Sequence, residues 1–513
     1  MRSKKAIKNI ISSLMQQIIT IVCGLILPRA IIGNYGSNVN GLISSITQFL
    51  SYISLLEAGI GPVIKSVLYK PIADKDKSTI EKILKASQKF FNVIAYIFIG
   101  YLIVLSFIYP YFVKDEFSTW YTVSLLIIIS ISTFAEYFFG MVYKLYLQAE
   151  QKTYITANIQ SITTILNTTC SIILIKFGAS IQVVKLISSF IFVLRPILQN
   201  IYVKKHYNIK LNEVKDDYKL KQKWDGLAQH IAAVIHGNTD VTLLTIFSTT
   251  AEISVYTVYY YVINGIKNVV QAFTGGIDAS FGDMYVKNEK EHLRKSYKVY
   301  ELFYYTIITI VFSCTLVLIV PFIQVYTLGV TDVNYYRPLF AYLLVIAEYA
   351  WAIRLPYSSI TLAIGHFKQT QKGAWFEALS NIIISIILVG KYGIIGVTIG
   401  TLFAMTIRTI EFIYHTSKYI LERNQIYSYI HIFITAVQTI IIFVISNKIM
   451  QNVIFDSYLI WIKYAVIILI ISCFIILFSN SLLYKNESKE LMKTIRKNIG
   501  RKWTVLRFNK MIL

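Results

Sequence analysis

Six polar residues, Tyr260, Asn264, Lys267, Gln271, Thr274 and Asp278, recur at alternating spacings of four and three within one long, largely apolar segment. At about 3.6 residues per turn they fall on one narrow helical face. Val258, Val262, Val269 and Phe273 take the other side. A lysine at membrane depth costs about 2.5–3.5 kcal/mol on insertion scales, so the Lys267 ammonium needs an anion, a polar partner or a wet cavity. Two kinds of chemistry meet that need. One is recognition of an anionic, hydroxyl-rich solute by Lys267 with Asn, Gln and Tyr donors beside it; the other is a structural salt bridge between helices.

The second apolar segment repeats the design, with Asn40, Ser44, Gln48 and Ser51 on one face, and the first adds Ser13, Gln16 and Thr20. These are read as polar cavity lining. Arg29, after Pro28, and Arg354, which shares a face with Trp351, Ser358 and Thr361 beside an expected kink at Pro356, join Lys267 as candidate cavity cations. Snorkelling competes with that reading for Arg29 at the outer interface, and is expected of Arg195 and Arg408 at the inner one. Asp240, Asp278 and Glu348 are the candidates for balancing these cations or for binding a coupling proton or sodium ion, with Glu136 and Glu377 as further acids at membrane depth. Asp240, on a face with Gln229 and His236, is expected to look into a central cavity.

Catalysis has little to stand on. The four cysteines lie in four different apolar segments and the seven histidines are scattered, so no metal site is expected. No HExxH, GxSxG or phosphate-loop pattern occurs, and the DKD at Asp74 to Asp76 reads as a solvated turn. Neither a catalytic set nor an organic cofactor is expected.

The elements that must carry these residues follow from composition. With 55% hydrophobic residues, 15% charged and a mean hydropathy of +0.57, the 513-residue chain is too apolar for an ordinary soluble protein. It reads as an all-α polytopic membrane protein whose partner is the lipid bilayer. The net charge of +23 would suggest nucleic acid in a soluble chain; here it fits basic cytoplasmic loops. At about 20 residues per span there are fourteen apolar segments, and 38 of the 50 basic residues fall in the two tails and alternate loops. Both termini are therefore expected to be cytoplasmic.

A weak internal repeat lays SNVNGLISSITQFLSYISLLEAGIGPVIKSVLYK, from Ser37, on SVYTVYYYVINGIKNVVQAFTGGIDASFGDMYVK, from Ser254, bringing Gly59 onto Gly276. The repeat predicts two pseudo-symmetric six-helix lobes, 1–203 and 226–425, joined by a cytoplasmic linker at 204–225. Helices thirteen and fourteen at 426–484 and a basic tail at 485–513 complete the chain. Parallel repeats of this kind are one plan for secondary transporters.

The stretches ISSLMQQIITIVCGLILPRAIIG and LLEAGIGPVIKSVLYKPIADKD in the first half, with GNTDVTLLTIF and SVYTVYYYVINGIKNVVQAFTGGI in the second, resemble the polysaccharide-repeat-unit flippases of the multidrug/oligosaccharidyl-lipid/polysaccharide (MOP) exporter superfamily. The resemblance covers essentially the whole chain. It implies a transporter of the bacterial inner membrane, not an enzyme, that moves undecaprenyl-pyrophosphate-linked oligosaccharide to the outer leaflet by alternating access, for O-antigen, capsule or exopolysaccharide. A polysaccharide polymerase and chain-length machinery are the partners it implies. Family members place basic residues in the first, second and eighth helices; Arg29 and Lys267 match the first and eighth, but the second offers only Lys65 near its inner end. A multidrug or small-solute exporter and a lipid II flippase of the same superfamily are the alternatives. A polymerase or ligase is disfavoured, because the longest outer loop, around Gln324 to Arg337, is short and lacks a reactive cluster.

Overall fold

The computed structural model describes residues 2–57, 59–211, 218, 227–272 and 278–493, and no strand occurs among them. They form seventeen α-helices. Twelve helical spans are long and apolar enough to cross a membrane, from Ile7–Tyr35 to Tyr458–Leu483. The other two of the fourteen expected are α9 (Leu227–Phe247) and α10 (Thr250–Ala272), helices of 21 and 23 residues. They are less apolar than the twelve because α9 carries His, Asn and Asp, and α10 carries the polar stripe.

Sequence explains where the helices start and break. Following α1 (Arg2–Tyr35), Gly36 at φ +88° turns the chain into α2 (Ser37–Ser51). That helix tightens into a 3-10 run, Tyr52–Glu57, and restarts as α3 (Ile60–Asp74) after Gly59, whose φ of +78° suits a residue without a Cβ. The second span is thus discontinuous. Its repeat counterpart has the same order: α10, then 273–277, which lies outside the described residues, then α11 (Asp278–Val286). The long helices that follow, α4 (Lys77–Phe112) and α12 (Lys290–Tyr326), each carry a proline near the end, Pro110 and Pro321. Asp76 caps α4 by accepting from the Thr79 backbone N–H at 3.1 Å and from the Thr79 hydroxyl. These hydrogen bonds hold its carboxyl below the usual range.

Two compact units make up the chain: 1–262 with 329–335 and 374–401, and 263–328 with 336–373 and 402–513. In the first, α5 (Thr119–Ala135) passes through a π-turn, Glu136–Gly140, into α6 (Met141–Ala149). The turn packs on α8 (Ile181–Tyr207) at Pro196, so closely that a Cβ on Gly140 would stand 2.7 Å from the proline Cβ. α1 lies along α7 (Thr153–Lys176), and α2 along α9. The expectation that Arg195 snorkels to the interface fails here: its guanidinium donates to Thr163 and Thr164 of α7 at 2.8 and 2.9 Å.

In the second unit, α12 packs against α13 (Pro338–Ala363), α16 (Ile426–Met450) and α17 (Tyr458–Leu483). A fully buried carboxylate, Glu301 of α12, holds the approach to α16 by accepting both guanidinium arms of Arg423 at 2.7 and 2.8 Å and the hydroxyl of Tyr357. Three donors on its two oxygens are what make such a buried pair tolerable. Asn480 of α17 donates to Thr306 of α12 at 2.9 Å and accepts from Gln438 of α16 at 3.0 Å, closing the three helices. Arg408, on α15 (Ile394–His415), is also expected to snorkel and does not. It is 1% exposed, pairs with Glu411 and donates to the Thr370 carbonyl at 3.0 Å.

Candidate functional site

Lys267 lies one turn and a half from the end of α10, and the structure supplies its partner. Its ammonium stands 2.7 Å from Oε2 of Glu348 on α13 and 4.5 Å above the Trp351 ring, one helical turn further along. Lysine and glutamate are 7% and 1% exposed. An ion pair and an aromatic face together offset the cost of holding an ammonium at this depth. Of the two chemistries open to Lys267, the interhelical pair is present, and Glu348 serves as the balancing acid.

The rest of the stripe is more accessible. Tyr260 stacks on Tyr256 with ring centroids 5.8 Å apart, Tyr260 and Asn264 are half-buried, and Gln271 is exposed. Thr274 and the side chain of Asp278 lie outside the described residues. Arg354 is half-buried on α13, three residues beyond Trp351. Arg29 is half-buried on α1, its Nη1 3.3 Å from the position a Cβ on Gly33 would take.

Of the residues expected as cavity lining, Asn40 and Gln48 tie α2 to neighbouring helices, and Ser44 bonds back within α2. Asn40 donates to Ser254 of α10 at 2.8 Å and Ser44 to the Asn40 carbonyl at 2.9 Å, both buried. Gln48 donates to the Gly237 carbonyl of α9 at 3.2 Å. Around the start of α2 a polar clasp forms. Asp332 accepts from the Ser37 N–H and hydroxyl at 2.6 and 2.9 Å, and Tyr335 bridges Ser37 and Ser254 at 2.7 and 2.9 Å. The backbones meet here: a Cβ on Gly41 would collide with the Thr250 carbonyl. Gln16 and Ser13 line a pocket of about 250 Å³ shared with Glu136, Lys144 and Arg195, and Ser51 lines another of about 530 Å³.

Asp240 does not look into an open cavity; it is 4% exposed. Tyr256 donates to its carboxylate at 2.7 Å and Thr401 of α15 at 2.9 Å, while Asn381 of α14 (Gln371–Tyr392) donates to Thr401 at 3.0 Å. The Asn381 carbonyl oxygen is buried without a hydrogen-bond donor. The Asp240 carboxylate thus has two hydroxyl donors, Tyr256 and Thr401, and Thr401 is held in turn by the Asn381 amide. Sequence reading missed Asn381 and Thr401. The signal for the first was there, since Glu377, Asn381 and Ser385 recur every fourth residue on α14. Among the described residues no cluster of three or more His, Cys, Asp or Glu side chains could hold a metal.

No protein-family model matches the sequence, and no curated protein matches it either. Solved structures do match the fold. The lipid II flippase MurJ in an inward closed conformation is 15% identical, covers 94% of this chain and 99% of its own, and superposes with a TM-score of 0.64. A multidrug resistance MATE family transporter of the MOP superfamily, inward-facing, is 14% identical over 78% of this chain and 94% of its own, with a TM-score of 0.58. The Vibrio cholerae MATE transporter VcmN is 15% identical over 82% and 98%, with a TM-score of 0.52. At these identities the likeness is one of fold. This multi-pass membrane protein is built as flippases and transporters of the MOP superfamily are.

Proposed function

We propose that the chain is a flippase that carries undecaprenyl-pyrophosphate-linked oligosaccharide repeat units across the cytoplasmic membrane by alternating access, for surface polysaccharide. The observation that carries this reading is the buried Lys267 ammonium, held by one carboxylate and one ring on a helix whose polar stripe continues with Tyr260, Asn264 and Gln271. A diphosphate can compete with Glu348 for that ammonium, and amide and phenol groups suit sugar hydroxyls. The prenyl tail stays in lipid, so only the head group needs a polar path.

The deciding experiment removes the gene and measures surface polysaccharide together with lipid-linked intermediates. Accumulated repeat units with lost surface polymer support the reading. Accumulated lipid II makes the chain a lipid II flippase, and unchanged intermediates with altered drug tolerance make it a small-solute exporter.

Topology is testable independently. The basic-residue distribution puts both tails inside, so with the four native cysteines removed, single cysteines at Asn34, Glu116 and Asp332 should react with an impermeant thiol reagent in intact cells. Those near Asp76, Glu487 and Lys219, the last outside the described residues, should not. Inverted labelling would remove the cytoplasmic placement and with it the direction of transport.

A coupling cation, sodium or proton, fits the Asp240 carboxylate with the Thr401 hydroxyl beside it. Asp240→Asn keeps the shape and the Thr401 contact but removes the charge, so transport is expected to fall about tenfold or more, as loss of a charged hydrogen-bond acceptor would suggest, with membrane abundance held. Transport that still responds to sodium and pH as the wild type does would exclude Asp240 as the coupling site.

A further inference from the structure

A second polar cavity lies inside the first unit, and Lys267 does not line it. Its volume is about 530 Å³, and it is lined by the 3-10 run after α2, the α5 π-turn and α8. Two stretches of non-α backbone at membrane depth facing one space is unusual, because irregular backbone is tolerated there only where protein or water covers it. π-Turns recur at functional sites for the same reason. Within the cavity Glu136 pairs with Lys144 at 2.7 Å, and the lining carries two carboxylates, Glu57 and Glu136, and two ammoniums, Lys144 and Lys185. Tyr137 lines the same space as Glu57. Lys185 lines the same space, one turn before Ser188, and among the described residues no carboxylate pairs with it. Opposite it on α5 stand the hydroxyls of Ser132 and Thr133.

We infer that this cavity is an anion site in which the Lys185 ammonium, with hydroxyl groups beside it, holds a phosphate group. Lys185 stands one turn into α8 without a paired carboxylate among the described residues, a phosphate oxyanion accepts from both ammonium and hydroxyl donors, and the volume admits the group with its water. The phosphate comes either from a phospholipid head group entering from the bilayer or from solution. The site stands apart from the Lys267 stripe and does not depend on what that stripe carries.

The test uses the purified full chain in nanodiscs and reads its unfolding temperature. In phosphatidylcholine discs, inorganic phosphate is titrated against sodium chloride at matched ionic strength; in a second arm, discs contain phosphatidylglycerol. Saturable stabilisation by phosphate identifies a free anion, and stabilisation by phosphatidylglycerol alone identifies a head group. In either arm Lys185→Gln should weaken the apparent affinity about tenfold or more, and Lys185→Arg should retain it. Ser188→Leu fills the cavity while keeping the charge and should also abolish the effect, which decides the matter if Lys185→Gln folds poorly. No saturable stabilisation in either arm, or stabilisation undiminished in both Lys185→Gln and Ser188→Leu, overturns the site.

Discussion

Lys267→Ala is expected to lower membrane abundance sharply, because it strands the Glu348 carboxylate, 1% exposed, without its cation. Breaking one side of a buried pair typically costs about 3–5 kcal/mol. Lys267→Glu should be worse, since it sets two carboxylates against each other, while Lys267→Arg keeps the charge and the Trp351 contact and should retain partial transport. The decisive protein is the double variant Lys267→Ala with Glu348→Ala. Removing both charges relieves the stranded carboxylate, so abundance should recover toward wild type. If transport stays lost at recovered abundance, the lysine meets the substrate; if transport returns, the pair is only a brace between α10 and α13, and the substrate contact must be abandoned.

Gly41→Val should shift the closed end of α2 open. The Thr250 carbonyl occupies the space a side chain at Gly41 needs, and the clasp of Ser37, Asp332, Tyr335 and Ser254 depends on that approach. Overpacking costs about 1–3 kcal/mol, which is roughly a 5- to 150-fold change in the balance between closed and open clasp. Ser254 is fully buried here. A cysteine at Ser254 should therefore label slowly with an impermeant thiol reagent in the wild-type background and many times faster beside Gly41→Val. If the proposed alternating access opens this clasp, transport should slow, since it then needs both states populated. Equal labelling in the two backgrounds would show that the glycine contact does not hold the clasp.

Much of the fold was legible from residue order. Apolar length marked the spans, and the two polar helices α9 and α10 were found because their valines and isoleucines still alternate with the polar face. Gly59, Pro110 and Pro321 fell where backbone breaks and helix ends are. Stripes were also legible, but not what they meet. Asn40 and Ser44 look as suited to a water-filled cavity as Tyr260 and Asn264 do, because a polar face on one helix is satisfied equally by water, by a ligand or by another helix.

Sequence by itself determined that this is a many-helix membrane protein with charge buried on α10, because hydrophobic length and the energetic penalty of an intramembrane ammonium are properties of the chain alone. Only the tertiary structure decided that Glu348 and Trp351 receive Lys267, that Thr401 and Asn381 gather at Asp240, and that Arg408 is buried with Glu411. Those partners are separated by 81 to 161 positions in the first two cases. Periodicity reports which face of a helix is polar; which helix lies against that face is set by the packing of the whole bundle.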